Sequence, residues 1–155
     1  MIRDHEIVFN FHSSNMLMAK AIKWRTSSSY SHVSINMNGT IYESRFFKGV
    51  IKNYGIKYND ITLKTRIKVT KKTYDNYLNF LNKQVGLGYD YKAIGGFILN
   101  KRLENDKGFF CSELANMFWY FEISGYEKCS NKLVSPHNMA NRLKFYNYAK
   151  DNKEF

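Results

Sequence analysis

Three residue types in this chain could together perform acyl transfer: a cysteine, a histidine and a carboxylate. Cys111 follows the aromatic stretch Gly108-Phe109-Phe110 and begins an apolar helical pattern. Unpaired N–H groups and the dipole at a helix start favour an anion, so a thiolate is favoured there. The same N–H groups can hold the oxyanion formed when a carbonyl is attacked. A free cysteine is also commonly a small buried hydrophobe, and Cys111 alone does not separate these two roles.

His32 lies in the most regular stretch of the sequence. Val33, Ile35 and Met37 alternate with His32, Ser34 and Asn36, and Asn38-Gly39 follows as a two-residue hairpin turn into a return strand Thr40 to Arg45. With that turn, Met37 opposes Thr40, Ser34 opposes Glu43 and His32 opposes Arg45. Opposed residues share a face, so Glu43 becomes the diagonal neighbour of His32, about 7 Å away between backbones. A carboxylate at that distance can hold one imidazole nitrogen and leave the other as a base. A cross-strand salt bridge or a solvated face is the plainer role for Glu43.

Other groups offer less. Gly95-Gly96 is followed by no Lys-Ser/Thr, so no phosphate loop is expected. The four histidines, at 5, 12, 32 and 137, are scattered and no CxxC or HxxxH occurs, so neither a metal nor any other cofactor is expected. His137 reads as first-turn surface, Cys129 as structural or a bystander, and Asp90 as a turn cap or a partner for a tyrosine. Ser112 and Glu113 suit the helix start by capping and by charge.

The elements that must position these groups can be read coarsely. A strand is expected over Glu6 to Phe11, then a helix from about Asn15 to Arg25 with Ser13 or Ser14 as cap and Leu17, Ala21 and Trp24 on one face. Ile61 to Val69 alternates strictly, with Ile61, Leu63, Ile67 and Val69 inward and Lys64, Arg66 and Lys68 on a wet, basic face. Thr73 can cap a helix bearing Tyr74, Tyr77, Leu78 and Leu81, closed by Gly86. Residues 86–110 read as glycine-punctuated loop. Leu114, Met117, Phe118 and Phe121 form the stripe of a helix from Cys111 to Phe121. Ser135-Pro136 opens a last helix with Met139, Ala140 and Leu143 behind it, and the charged tail from Tyr146 is expected to fray. That order is α+β, an antiparallel sheet packed against helices.

At 155 residues the chain suits one domain, with a core over about 6–145. Twelve Tyr, twelve Phe and two Trp can fill that core and still leave polar tips for a cleft. The net charge of +11 suits an anionic polymer, nucleic acid or an anionic membrane surface as partner. Two cysteines make no disulfide framework, the N-terminus is charged where a signal peptide is apolar, and the longest apolar run, Ala93 to Leu99, is too short to span a bilayer. A cytoplasmic protein in a reducing compartment is the expectation.

The segments Ser31-His32-Val33-Ser34-Ile35, Gly88-Tyr89-Asp90-Tyr91 and Phe110-Cys111-Ser112-Glu113-Leu114 resemble those of circularly permuted papain-like hydrolases, relatives of the NlpC-type cell-wall amidases. The histidine strand precedes the cysteine helix, as in the permuted branch, and the resemblance runs from about residue 6 to residue 140. It implies Cys111 as nucleophile, His32 as base and Glu43 as the polar third member, with Tyr89, Tyr91 and Ser112 near substrate or oxyanion. Phe110 stands where the unpermuted motif has Asp, and Ser34 where glycine is frequent. The substrate implied is a peptide, glycopeptide or lipid-like acyl compound, since permuted relatives include acyltransferases such as lecithin retinol acyltransferase. The competing reading is a non-catalytic basic module that binds nucleic acid or an anionic polymer, and a third is an assembly protein with an inert cysteine.

Overall fold

Alternation of apolar and polar residues builds one sheet. β1 (His5–His12), β2 (His32–Met37), β3 (Thr40–Arg45), β4 (Gly49–Tyr54) and β5 (Ile61–Val69) lie in the order β4-β3-β2-β1-β5, every neighbour antiparallel. The protein is described, as a computed structural model, over residues 2–15, 17–90, 108–123 and 134–152. Opposed residues Phe9 and Ile35, and Phe11 and Val33, meet on one face and are fully buried. Helices cover that face: α1 (Leu17–Arg25), α2 (Lys71–Gln84), α3 (Cys111–Asn116), α4 (Phe118–Glu122) and α5 (Pro136–Asp151) contribute Ile22, Tyr77, Leu81, Leu114, Phe118, Met139 and Leu143 to the core or its margin. Each fully buried Phe or Leu contributes roughly 2–3 kcal/mol. This is the α+β arrangement of an antiparallel sheet packed against helices.

The β2–β3 hairpin has the register expected from its turn, with Met37 against Thr40 and Ile35 against Tyr42. Asn38 and Gly39 both take positive φ, as a primed two-residue turn requires. β5 alternates as its sequence demands: Lys64, Arg66 and Lys68 are exposed while Thr65, Ile67 and Val69 are buried. It is an edge strand, and α5 covers part of that edge. Asn147 donates to the Arg66 carbonyl at 3.0 Å and Lys150 to the Lys68 carbonyl at 2.8 Å.

Those two bonds overturn the expectation of a frayed tail from Tyr146. The helix continues to Asp151, because its last two turns satisfy strand carbonyls that would otherwise face water. Three further differences have local causes. Helix α2 is capped by Thr70, whose hydroxyl accepts from the Thr73 N–H at 3.2 Å, and Thr73 sits inside the first turn. The helix after Cys111 is interrupted at Met117 and resumes at Phe118. β4 has no counterpart in the sequence reading, because its outer residues Lys52 and Tyr54 are exposed and no long apolar alternation marks it.

Within residues 86–110, Gly88–Tyr89 and Gly108–Phe109 pair as two short parallel strands, β6 and β7. β7 leads through Phe110 into Cys111. Tyr91, Gly95, Gly96, the run Ala93 to Leu99 and Cys129 lie outside the described residues. Among the described residues no helix is long and apolar enough to cross a membrane.

Candidate active site

The sheet brings the early half of the chain to the late half at one point. His32 begins β2, Glu43 lies on β3, and Cys111 is the first residue of α3, which packs against both strands. The α3 start is fixed by Glu113, whose carboxylate accepts the Phe110 N–H at 2.9 Å, while the Phe110 carbonyl accepts from the N–H groups of Glu113 and Leu114. Phe110 has no side-chain oxygen to complete a reciprocal capping box. Ser44 donates its hydroxyl to the Phe109 carbonyl, which ties β3 to the segment just before the cysteine.

His32 meets both predicted partners. Its Nε2 lies 2.8 Å from Glu43 Oε2, and the Cys111 side chain is near enough to act on the titration of the ring. Burial alone would lower the imidazole pKa. The neighbouring Cys111 side chain and the Glu43 carboxylate outweigh that effect and push His32 up to about 10. Glu43 is 0% exposed, and burial alone would raise its pKa. Hydrogen bonds from His32 and Tyr58 and the charges of His32 and Arg45 instead bring it down to about 2. Arg45 Nε stands 3.2 Å from the same carboxylate, and Asn53 donates to it at 3.4 Å. A buried anion requires this many donors, since an unpaired one costs several kcal/mol, roughly.

Cys111 is only 1% exposed, whereas the His32 side chain is 23% exposed. The imidazole edge is therefore the accessible part of the pair. Among the other expected residues, Tyr89 packs in the core against Phe46 and Phe110, with ring centroids 5.6 and 6.1 Å away. Ser112 is fully buried and its hydroxyl donates to the Val134 carbonyl, so that side chain ties α3 to the entry of α5. His137 is half-buried; Asn141 donates to its Nε2 at 3.0 Å and its ring stacks on Tyr30.

The structure adds groups that sequence reasoning missed. His12 is buried with its ring centroid 5.1 Å from that of His32. The Asp60 carboxylate accepts from its Nδ1 at 2.9 Å, so Nε2 of the neutral ring accepts from the Ser34 hydroxyl, also at 2.9 Å. Asn10 donates to the same Ser34 oxygen at 3.4 Å. Tyr58 stands edge-on to His12 and donates to Glu43. The alternation in β1 already sets Asn10 and His12 opposite Phe9 and Phe11, but only the long-range pairing of His12 with His32 reveals what they meet. Protein-family models give no match to this chain, and neither do curated proteins.

Proposed function

We propose that this protein is a cysteine hydrolase of circularly permuted papain-like (NlpC-like) type, cleaving an amide or ester through a thiol acyl-enzyme. The observation that carries the reading is a single imidazole bonded to a buried carboxylate and lying beside a cysteine at a helix start. Three properties of a working triad thus meet: a nucleophile, a base, and a group that orients the base.

In this mechanism His32 Nε2 stays on Glu43, leaving Nδ1 for the sulfur. The Cys111 thiolate attacks the carbonyl carbon, a C–S bond forms, and the oxyanion is held by the Cys111 main-chain N–H. Collapse breaks the C–N or C–O bond while His32 gives its proton to the leaving amine or alcohol. Water then attacks the thioester, His32 takes the proton from that water, and the thiolate departs. Glu43 remains ionised throughout and stabilises the imidazolium, with Arg45 and Tyr58 holding it in place. Because the sulfur is covered, substrate entry requires its cover to open beside the exposed His32 edge.

Peptidase or amidase chemistry is the preferred form, and a lipid acyltransferase or esterase would use the same three groups. The test is turnover on matched acyl esters and peptide amides, with trapping of the acyl-enzyme by mass spectrometry. A Cys111-linked acyl adduct that disappears in Cys111→Ala supports the reading; turnover surviving that substitution overturns it. The burial of Cys111 favours one rival, a structural or assembly protein with an inert thiol. Absence of any adduct from electrophiles of small size would select it.

A further inference from the structure

Helix α1 is oriented against its own apolar pattern. Leu17 and Trp24, seven residues apart and so on one stripe, are 83% and 80% exposed, while Ala19 is buried and Ile22 packs at the core margin. Lys20 lies exposed between them. A helix that hides an alanine and shows a tryptophan and a leucine leaves its larger apolar face uncovered.

The helix stands at the active-site end of the sheet. The chain enters α1 from His12 at the end of β1 and returns to His32 at the start of β2, with Ser31 donating its N–H to the His12 carbonyl at 2.9 Å. The β3–β4 turn lies at the same end, because Arg45 pairs with Gly49. There Phe47 is 82% exposed and held at φ 66°, a left-handed conformation that bulky residues rarely adopt. A strained, outward aromatic is retained only where the surroundings over-determine it, commonly at a binding surface.

The charge around these side chains is mainly basic. Lys20, Lys23 and Arg25 lie on α1 and Lys48 follows Phe47, while the buried Glu43 is paired with His32 and Arg45, and the partly exposed Asp60 at the same end is bonded to His12. A second copy of the chain would set this mainly basic surface against itself. Nucleic acid would match the charge, but an aliphatic leucine in the stripe gives no stacking platform. Tryptophan and leucine flanked by lysines suit the boundary between headgroups and acyl chains.

The geometry points to α1, together with the Phe47 turn, as a docking surface for an anionic lipid bilayer. Leu17, Trp24 and Phe47 enter the headgroup boundary, and the lysines meet anionic headgroups. The His32 end of the sheet then lies against the membrane. Docking itself does not depend on the hydrolase reading; only the consequence that a membrane-borne acyl compound reaches Cys111 rests on it.

The experiment is co-sedimentation of the full-length protein with phosphatidylcholine vesicles, with and without phosphatidylglycerol, followed in parallel by tryptophan fluorescence. Trp119, the other tryptophan, is buried, so a blue shift on binding reports Trp24. Binding should need phosphatidylglycerol and fall with salt. Leu17→Ser, Trp24→Ser and Lys20→Glu, all at exposed positions, should each weaken it by about tenfold, and Tyr148→Ser on α5 should leave it unchanged. Iodoacetamide labelling of Cys111 in vesicle-free solution should be the same in these variants as in the parent protein, which separates docking from the thiol chemistry. Equal binding to neutral vesicles, binding indifferent to Leu17 and Trp24, or a Leu17- and Trp24-dependent preference for an oligonucleotide over phosphatidylglycerol vesicles would overturn the proposal.

Discussion

The rings of His12 and His32 lie with centroids 5.1 Å apart and planes tilted by 50°, yet their environments drive their titrations in opposite directions. Burial first, and then the positive charge on His32, lower the pKa of His12; the Asp60 carboxylate only partly offsets them. The cysteine sulfur and Glu43 raise that of His32. The neutral ring can therefore lie beside the charged one without adding a second cation to the site.

This difference has a sign in stability. A histidine with a lowered native pKa is less protonated in the folded chain than in the unfolded one, so its support is lost as pH falls below the ordinary value of 6.5. Urea unfolding of the wild-type protein should show that loss on the acid side. His12→Gln, which can keep bonds to Asp60 and Ser34, should flatten the slope just below that value while retaining the fold.

The pairing of His32 with Cys111 predicts a thiol that reacts at mildly acidic pH. Labelling by iodoacetamide at about pH 6 should proceed at Cys111, scaled by the fraction of time its cover is open, and faster than at Cys129. His32→Ala should slow it by about tenfold or more without unfolding the protein. An unchanged rate, read by peptide mass spectrometry, would sever the two residues.

Glu43 makes a different prediction from Cys111. Glu43→Gln leaves His32 and Arg45 facing a neutral amide, which should cost roughly 3 kcal/mol of stability. It should reduce turnover less than Cys111→Ser, because Glu43 orients the base and forms no bond to substrate. Tyr58→Phe removes one donor of several and should cost about 1 kcal/mol. In the parent protein the support from Glu43 is complete above its ordinary value of 4.5 and is lost as pH falls through about 2. The support from His32 is complete below 6.5 and is lost as pH rises through about 10. Chemical denaturation across that range measures both flanks, and Glu43→Gln should remove the acid one.

Gly49 and Gly39 should separate close approach from backbone preference. Both have positive φ, but a Cβ on Gly49 would sit 2.0 Å from the Leu87 carbonyl oxygen, while nothing lies within 4 Å of one on Gly39. That Leu87 oxygen also accepts from Val50, so it is not free to move. Gly49→Ala should cost about 3 kcal/mol or more, and Gly39→Ala about 1 kcal/mol, in thermal unfolding.

What the sequence by itself determined was local. Alternation from His32 to Met37 and the Asn38-Gly39 turn fix the hairpin register, and that register alone places Glu43 within reach of His32, because pairing across a two-residue turn leaves one geometry. Ser135-Pro136 likewise specifies its helix start, and Ser135 accepts from the Asn138 N–H at 3.1 Å. Tertiary structure decided the rest. That Cys111 meets His32, that His12 and Tyr58 enclose the pair, and that α1 turns Trp24 outward follow from contacts between segments remote in the chain. Helical periodicity shows that Leu17, Ala21 and Trp24 share a stripe but carries no direction; which side of the helix faces protein depends on where His12 and His32 anchor its ends.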